Sequence, residues 1–456
     1  MSRRSTPSEA LRLQLMAYGV QSAQELARGL RVSQPTVSRQ IAALGVAIER
    51  IGGGPSTRYA LRRSVRGGGA QWPVYRVDRG GRIELQGFLN SIHGGFRFLF
   101  EGGAVPRWVP SDFAHFGVFP GLPFFLQDIR PQGFLGRAIA RACSDSLMVP
   151  ADIQNWSDDD ALVYFLSRGD DLPGDLLVGD ATAQRITQLQ AQRGGIAVGD
   201  RGVAYPELAA QAERGEVAGS SAGGEQPKFA ATVRGASGAV RHVLVKFTTA
   251  EPSGVRDRWG DLLICEHLAL QTLRTQLGVD ASESSLHEFS GRRFLELTRF
   301  DRVGATGRRG VLSLGAILDA NAFELAGEEW GDVASAMSGA GLLNAGDART
   351  LRRIWCFGRC ICNNDMHRAN FSFLPCDDGP FRLAPVYDML PMAYAPSRQG
   401  AIPVNAVPPA VAVPRFREEW ENAMAAARVF WGLVREHPLV STPSRKIAEK
   451  MSATLR

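Results

Sequence analysis

Apolar residues recur along this chain with two periods, and the change of period divides the chain into regions. Near the N-terminus, apolar positions three and four residues apart predict two short helices, the second carrying Val37, Ile41 and Leu44 on one face. Alternation then predicts a β-rich unit to about residue 125, and helices follow to about residue 215. The predicted strands are 74–77, 82–89, 96–100, 229–233, 241–248 and 292–298, and the predicted later helices include 262–270 and 351–362.

The N-terminal helix pair carries local start and stop signals. Ser22 and Glu25 have the spacing of a capping box. Ser33 is predicted to cap the second helix, with Pro35 in its first turn and Gly45 at its end. The spacing therefore predicts a helix, a short turn and a second helix.

A predicted hairpin and a strong positive charge accompany these helices. Residues 47–51 and 57–61 are predicted as strands around a Gly-Gly-Gly-Pro turn. Residues 1–66 contain eleven arginines, no lysine and three glutamates, a net charge of +8 against +6 for the whole chain. This combination resembles the winged helix-turn-helix of bacterial regulators and predicts binding to duplex DNA. The alternative is a small packing domain with a solvated basic face. The candidate DNA contacts are Gln34, Thr36, Ser38, Arg39, Arg50 and Arg58.

Composition bounds the remaining organisation. The chain is 45% hydrophobic and 21% charged, which is typical of a soluble protein with several domains. We expect no membrane partner and a cytoplasmic location, since no apolar run reaches the ~18 residues of a spanning helix and no signal peptide is evident. The glycine-rich stretch 64–71 is predicted to link independently packed units. The predicted domains are 1–66, 72–215, 216–440 and a C-terminal helix, 441–456.

Cysteines are sparse, and four of the six occur at positions 356, 360, 362 and 376. Their spacing is not a usual zinc pattern, although His367 is close in sequence. Cys356 and Cys360 fall on one face of an apolar helix, so we predict small buried hydrophobic residues and no metal site there.

A glycine- and serine-rich segment, residues 217–228, precedes a predicted strand. Glycine lets backbone N–H groups approach phosphate oxygens closely, which makes the segment a candidate phosphate loop. It is not a Walker A loop, because Gly224 is followed by Glu225. A plain flexible loop is the alternative.

Two charged residues lie inside apolar stretches downstream. Lys246 is in the centre of a predicted strand, and Glu266 is in a predicted helix. Each charge would be costly to bury alone, so pairing is expected, and a strand lysine oriented by a helix glutamate is the kinase arrangement. In the alternative, Lys246 extends to solvent and Glu266 lies on the wet edge of its helix.

A further set of polar residues lies near the C-terminal end. Asp365 is followed five residues later by Asn370, and Asp388 ends an apolar run. In kinase-type phosphotransferases the first aspartate positions the proton of the nucleophile, and the other two residues bind magnesium. Because magnesium prefers oxygen ligands, the predicted cofactors are ATP and Mg²⁺.

Together these motifs resemble the signature blocks of HipA-type serine/threonine kinases, the toxins of bacterial toxin–antitoxin pairs. The blocks are 221–228, 245–247, 299–302, 364–372 and 384–391, and the segment 169–174 resembles part of the N-terminal region of the family. A winged helix fused in front resembles the YjjJ subgroup. The resemblance covers roughly residues 75–440. It implies an α+β, two-lobed protein-kinase-like fold preceded by a winged helix-turn-helix domain.

The resemblance also implies roles for individual residues. Asp365 becomes the catalytic base, and Asn370 and Asp388 become the metal ligands. Ser221, with Ser220 beside it, falls at the position of an autophosphorylated serine. The implied nucleotide-binding residues are Ala222, Gly223, Gly224, Lys228, Lys246, Glu266, Thr298, Phe300, His367 and Tyr387. The family commonly has lysine before the motif asparagine, whereas this chain has Ala369 there and Arg368 one residue earlier.

The predicted function is transfer of the ATP γ-phosphoryl group to a protein serine or threonine, with autoregulatory DNA binding in the same chain. One alternative is a DNA-binding transcription regulator whose kinase fold is weak or inactive, which Ala369 favours. Another is a small-molecule kinase of the aminoglycoside or choline kind, against which the serine in the phosphate loop argues. The expected partners are a protein substrate and duplex DNA, with a homodimer left open.

Overall fold

The computed structural model describes most of the chain between Pro7 and Leu455. The described residues are 7–110, 113, 116–191, 194–215, 226–320, 325, 327, 329–397, 399–405, 407 and 412–455. Within these ranges no helix is both long and apolar enough to cross a membrane.

The N-terminal region contains three helices and a small antiparallel sheet. Its elements are α1 (Pro7–Tyr18), β1 (Gln21–Ser22), α2 (Ala23–Leu30), α3 (Gln34–Leu44), β2 (Ile48–Ile51) and β3 (Arg58–Leu61), with strand order β1-β3-β2. The sequence predicted α2, α3 and the β2–β3 hairpin, but not α1. Leu11 and Leu15 of α1 are fully buried against Leu26 and Val37, so α1 completes the core of this region.

The predicted helix caps are only partly confirmed. The Ser22 hydroxyl accepts the Glu25 N–H at 3.2 Å, and the Glu25 carboxylate accepts the Ser22 N–H at 2.7 Å, which is the predicted capping box. Ser33 occupies the N-cap position of α3, but its hydroxyl contacts Thr36 Oγ1 at 3.0 Å and caps no backbone N–H.

The middle region is an antiparallel sheet covered by helices. Its elements are β4 (Gln71–Val77), β5 (Ile83–Ile92), β6 (Gly95–Phe100), β7 (Val118–Phe119), α4 (Phe124–Gln127), α5 (Gly133–Leu147), α6 (Asp158–Arg168), β8 (Leu176–Val178) and α7 (Asp180–Ala191), with strand order β7-β6-β5-β4-β8. The strands predicted over 74–77, 82–89 and 96–100 are thus confirmed. Phe125 packs edge-to-face against Phe98 and Trp108, with ring centroids 5.1 and 5.6 Å apart.

Residues 64–71 are attached to the middle region at Val65 and Arg66, whereas residues 67–69 are exposed. Val65 is only 3% exposed and belongs to the largest hydrophobic core. Arg63 and Arg66 form ion pairs with two consecutive aspartates near the start of α6. These contacts oppose the prediction that this stretch separates independently packed units, because they attach the N-terminal region to the middle region.

A second set of contacts between these regions, which we call the docking interface, is centred on Glu49 of β2. Glu49 is 3% exposed, and its carboxylate accepts hydrogen bonds from Arg62 at 2.7 Å and from Arg97 of β6 at 2.5 Å. Beside this ion cluster, Ile51 and Ile92 are fully buried in a shared apolar cluster. The docking interface thus combines apolar burial with charge pairing across the two regions.

The rest of the chain forms a two-part body. One part contains β9 (Ile196–Ala197), α8 (Arg201–Glu213), β10 (Lys228–Arg234), β11 (Val240–Phe247), α9 (Gly254–Leu277), β12 (Ser284–Phe289) and β13 (Arg292–Thr298), with strand order β12-β13-β11-β10-β9. Tyr205 of α8 packs on Phe229 and Phe294 from this sheet. The strands predicted over 229–233, 241–248 and 292–298 are confirmed within one or two residues.

The other part is mainly helical. It contains β14 (Arg302–Val303), β15 (Gly307–Arg308), β16 (Leu312–Ser313), α10 (Leu314–Asp319), α11 (Trp330–Gly339), α12 (Ala345–Cys360), β17 (Ser372–Leu374), β18 (Arg382–Leu383), α13 (Arg417–Glu436) and α14 (Thr442–Thr454). Asp261 of α9 accepts the Ser441 N–H at 2.9 Å and the Ser444 hydroxyl at 2.6 Å, so the start of α14 is attached to α9. The predicted site residues come from both parts, which meet where Lys246 of β11 donates to Asp388.

Candidate active site

Lys246 and Glu266 form a buried ion pair in the first part of the body. Lys246 lies on the inner strand β11 and is 4% exposed, while Glu266 lies on α9 and is fully buried. The Lys246 Nζ atom is 2.8 and 2.7 Å from the two carboxylate oxygens of Glu266. The predicted pairing is observed, and the burial excludes the alternative in which Lys246 extends to solvent.

Asp388 binds the same ammonium group from the other side. Its Oδ1 atom accepts a hydrogen bond from Lys246 Nζ at 2.6 Å. A parallel bridge between Val386 and Ala281 fixes the approach of this segment. Asp388 has a φ of 56°, a left-handed conformation that aspartate adopts more readily than most residues. The bridge at Val386 and the hydrogen bond to Lys246 together fix the position of Asp388.

The three charges of this cluster shift each other's pKa values. Burial disfavours the charged form of Lys246, but the carboxylates of Asp388 and Glu266 outweigh it and raise the pKa of Lys246 above its ordinary value. Burial likewise opposes ionisation of Asp388, but Lys246 and then Lys228 lower the pKa of Asp388. The cluster thus holds a permanent ammonium group beside an ionised carboxylate at neutral pH.

Asp365 lies in the loop that follows α12, and two asparagines hold that loop. The Asp365 N–H donates to Asn363 Oδ1 at 3.0 Å, and Asn370 Nδ2 donates to the Asp365 carbonyl at 2.8 Å. Burial raises the pKa of Asp365 above its ordinary value, and His367 partly opposes this shift. A raised pKa suits a group that takes up a proton near neutral pH.

Asn363 was not among the sequence-predicted site residues. The sequence shows Asn363 and Asn364 in succession before Asp365, and no local pattern distinguishes the one that turns back onto the loop. The only available signal was the preference of asparagine for bonds to backbone groups two residues on.

The residues after Asp365 differ in their exposure to solvent. Asn370 is buried, whereas His367, Arg368 and Ala369 are exposed. His367 Nδ1 accepts the Ala369 N–H at 3.2 Å. Arg368 lies 3.5 Å from the exposed carboxylate of Asp319 on α10. The structure therefore places Arg368 at the rim of the site, next to α10.

Residues 299–302, which follow β13, are called the hinge. Phe300 of the hinge contacts Tyr387, which in turn contacts the Asp365 loop. Their rings are stacked with centroids 5.7 Å apart and planes 26° from parallel. The Tyr387 hydroxyl donates to the Ala369 carbonyl at 3.0 Å and lies 2.7 Å from the Ser372 hydroxyl. Thr298, the half-buried last residue of β13, leads directly into this hinge.

The predicted phosphate loop lies mostly outside the described residues. This holds for Ser220, Ser221, Ala222, Gly223 and Gly224. Lys228, the first residue of β10, is 3% exposed and lies opposite Lys246 in the β10–β11 register. The end of that segment thus brings a second cation to the Lys246–Asp388 cluster, where it acts on both carboxylates.

The DNA-contact candidates on α3 form one largely exposed group. Gln34, Ser38 and Arg39 are exposed, and Thr36 is half-buried. The Arg39 guanidinium donates to Thr36 Oγ1 at 3.2 Å, which holds it close to the helix. Their side chains remain accessible to a partner of this surface.

The two candidate DNA contacts on the β2–β3 hairpin differ in exposure. Arg50 on β2 is exposed, whereas Arg58 on β3 is half-buried and lies 4.0 Å from Glu25 of α2. An ion pair at this distance between two partly exposed side chains is weak, so Arg58 can also bind another anion.

The two cysteines of α12 are buried, as predicted. Cys356 and Cys360 are fully buried, and burial raises the pKa of each thiol to about 12. Among the described residues, no cluster of three or more His, Cys, Asp or Glu side chains has the geometry of a metal site. The prediction of small buried hydrophobic residues is confirmed.

The side chains near the Lys246–Asp388 contact have complementary chemistry. Lys246 offers a cation for phosphate, and Asp388 and Asn370 offer a carboxylate and an amide oxygen. Because Asn370 uses its nitrogen on the loop backbone, its oxygen is the atom that suits a hard cation such as magnesium. Asp365 lies near enough for the charges of Asp388 and Lys246 to act on its pKa.

Known proteins resemble the chain over most of its length. Family models for the YjjJ-like toxin middle domain and the HipA-like C-terminal domain match residues 68–187 and 220–454, respectively. Toxin YjjJ of Escherichia coli strain K12 is 37% identical over 444 residues, which are 97% of this chain and 96% of that protein.

Solved structures also match the chain. A chain of the HipA, HipB and operator DNA complex of the Shewanella oneidensis MR-1 toxin–antitoxin system has a TM-score of 0.53 at 14% identity, covering 84% of this chain and 95% of that one. This match shows a shared fold. The Helicobacter pylori proinflammatory kinase CtkA has a TM-score of 0.34 at 13% identity over 51% of this chain and 88% of its own. From the identity and coverage together, the chain belongs to the YjjJ-like toxin family, with a HipA-like C-terminal domain.

Proposed function

We propose that this chain is a magnesium- and ATP-dependent serine/threonine protein kinase of the HipA toxin type. The observation that carries the proposal is the placement of Lys246 between Glu266 and Asp388 at hydrogen-bond distances, with the Asp365–Asn370 loop beside them. A strand lysine, its helix glutamate, a metal aspartate and a catalytic-loop aspartate are the parts that phosphoryl transfer from ATP requires.

Each residue has a separate task in this proposal. Lys246 binds the nucleotide phosphates, and its ion pair with Glu266 orients its side chain. Phe300 and Thr298 border the adenine, and Asp388 with Asn370 would hold magnesium, which neutralises the phosphate charge when bound. Asp365 orients the substrate hydroxyl and takes its proton as the oxygen attacks the γ-phosphorus and the bond to the β–γ bridging oxygen breaks.

The direct test uses purified protein, labelled ATP and a cell extract. We expect transfer of label to one or a few proteins, on serine or threonine, that stops when magnesium is chelated. An extract that remains unlabelled while the protein binds MgATP would favour the second candidate function.

That second candidate is a DNA-binding regulator with a weak or inactive kinase fold. Ala369 supports it, because the family lysine is missing and Arg368 lies beside Asp319 at the rim. Replacing Ala369 with lysine separates the two functions. If the protein is an active kinase, Ala369→Lys changes its phosphotransfer rate little. If its kinase fold is impaired, Ala369→Lys raises the phosphotransfer rate at least tenfold.

We further propose that Ser221 is autophosphorylated, with Ser220 as a competing acceptor. The added negative charge would repel ATP phosphates and so lower activity. Mass spectrometry after incubation with MgATP is expected to find phosphate between residues 219 and 228. An active protein whose peptide stays unmodified would remove this regulation.

We also propose that the N-terminal region is a winged helix-turn-helix domain that binds duplex DNA. The order of helices and hairpin, the exposed polar residues of α3 and the net charge of +8 over residues 1–66 support this role. The Shewanella HipA structure contains operator DNA, which makes an operator of this chain's own gene a reasonable first probe.

Two single variants separate base readout from backbone contact on that DNA. Arg58→Ala is expected to weaken all sequences alike and to reduce the slope of affinity against salt by about 1, because one phosphate contact is lost. Arg39→Ala is expected to relax sequence preference, at about 1–3 kcal/mol for the base it contacts. Gel-shift titrations over a salt series measure both, and unchanged binding in both variants would contradict the proposed interface.

A further inference from the structure

The segment Gly169 to Gly174 of the middle region reaches across to the hinge of the body. It joins α6 to β8 and lies against the residues that follow β13. Its Asp171 carboxylate accepts two hydrogen bonds from Arg299 Nη1, at 2.8 and 2.9 Å, and one from Arg302 at 2.8 Å. These contacts join residues that are 128 and 131 positions apart in sequence.

The hinge itself supplies a second carboxylate to this group. Asp301 accepts hydrogen bonds from Arg299 at 3.0 and 2.8 Å, from Arg302 at 2.7 Å, and from the Gly174 N–H at 3.0 Å. Asp171, Arg299, Asp301 and Arg302 together form what we call the hinge clamp. The two arginine side chains are 8% and 4% exposed and Asp301 is 10% exposed, whereas Asp171 is 35% exposed, so the charges are shielded from solvent mainly on the hinge side.

The hinge clamp also fixes the backbone on the middle-region side. Arg302 donates to the Leu172 carbonyl at 2.7 Å and to the Gly174 carbonyl at 3.0 Å. A guanidinium presents its donors in a rigid planar fork, so several bonds to one segment define its orientation as well as its distance.

Phe300 lies between two residues of the hinge clamp, Arg299 and Asp301. Both neighbours are held by several charged hydrogen bonds, so the Phe300 backbone has little freedom to move. Its ring stacks on Tyr387, whose hydroxyl donates to the Asp365 loop at Ala369. A chain of direct contacts thus runs from Asp171 through the hinge to the catalytic loop.

Buried ion networks contribute little net stability compared with apolar packing, because desolvation offsets the attraction between their charges. What such a network does supply is defined geometry. The hinge clamp is placed where geometry matters most, beside the residue that is proposed to border the adenine.

We propose that Asp171, contributed by the middle region, is a positioning residue for the adenine end of the nucleotide. It acts through Arg299 to hold Phe300 and does not touch the nucleotide itself. This inference rests on the proposed nucleotide-binding function. It assigns part of the ATP affinity of the HipA-like domain to the YjjJ-like middle domain in front of it.

The test compares Asp171→Asn with Asp170→Asn in the full chain. Asp170 is the matched control, since it is the adjacent residue and its side chain accepts from Arg185 of α7 at 2.7 Å and from no residue of the hinge clamp. Isothermal titration measures binding of MgATP and of magnesium tripolyphosphate, which has the phosphates but no adenine. Asp171→Asn is expected to weaken MgATP about tenfold and leave tripolyphosphate within twofold of wild type, while Asp170→Asn changes neither.

Each other outcome has a distinct meaning. Wild-type protein that binds no MgATP overturns the proposed function and the inference with it. Wild-type protein that binds MgATP while Asp171→Asn binds equally well overturns the inference alone, as does equal weakening of both ligands. If Asp171→Asn does not fold, Asp171→Glu, which keeps the charge but displaces it by one methylene, takes its place with the same expected difference between the two ligands.

Discussion

Asp388→Asn and Asp365→Asn are each expected to lower phosphotransfer by roughly 10³-fold, but to affect nucleotide binding differently. Asp365→Asn removes the proton acceptor, a contribution of about 10²–10⁴ in rate, and leaves the metal ligands in place. Asp388→Asn removes the carboxylate that would hold magnesium. Asparagine is the appropriate replacement because it tolerates the left-handed φ of 56° at position 388.

Thermal unfolding with and without MgATP distinguishes the two variants. At 100 times the dissociation constant a ligand stabilises the folded state by about 2.7 kcal/mol, so wild type and Asp365→Asn should show a clear rise in Tm. Asp388→Asn should show little. Exposed Asp378 in the same part of the body provides the control, Asp378→Asn, with wild-type rate and wild-type shift. Wild-type rates in either active-site variant would refute the assignment.

Removal of residues 1–66 is expected to abolish DNA binding and also to lower the Tm of the remaining chain by roughly 3–12 °C. The truncation exposes Ile92 and leaves Arg97 without its partner Glu49. Water can reach Arg97 once the covering region is gone, so the loss comes mainly from Ile92, whose burial stabilises the fold by about 1.5–3 kcal/mol. About 1 kcal/mol lowers the Tm of a large domain by about 2–4 °C.

A point variant separates the charge contribution from the packing contribution. Glu49→Gln in the full chain keeps the apolar contacts of the docking interface but leaves Arg97 buried without a carboxylate, which costs about 3–5 kcal/mol, so its Tm should fall at least as much as that of the truncated protein. Calorimetry of the three proteins measures both decreases. A truncated protein with the Tm of wild type would mean that the two regions are energetically independent, as the glycine-rich stretch alone predicted.

Features of the fold encoded over a few residues could be predicted from the sequence. The capping box at Ser22 and Glu25 needs only a spacing of three residues, and alternation was enough for β5 and β13. The Lys246–Glu266 pair was predictable although the residues are 20 positions apart, because a buried charge requires a partner and few were available.

Other features depend on contacts between distant residues, which no local pattern reports. Asp171 is 128 positions from Arg299, and its segment had no assigned role in the sequence-based prediction. Val65 is apolar but surrounded by glycines and arginines, so its burial depends on a surface formed by other elements. The roles of Asp365, Asn370 and Asp388 stay predictions, since the positions of these residues do not by themselves establish a reaction.

The contact between Lys246 and Asp388 has a consequence for the order in which ligands bind. At 2.6 Å the ammonium group occupies the carboxylate that would otherwise face a cation. Under the proposed function, free ATP that draws Lys246 away would leave Asp388 with the weaker attraction of Lys228, and free magnesium would meet an ammonium group already in place. Binding of either ligand alone is therefore unfavourable. The MgATP complex instead offers a phosphate to Lys246 and a cation to Asp388 at the same time. We therefore expect metal and nucleotide to bind together, and each alone to bind weakly.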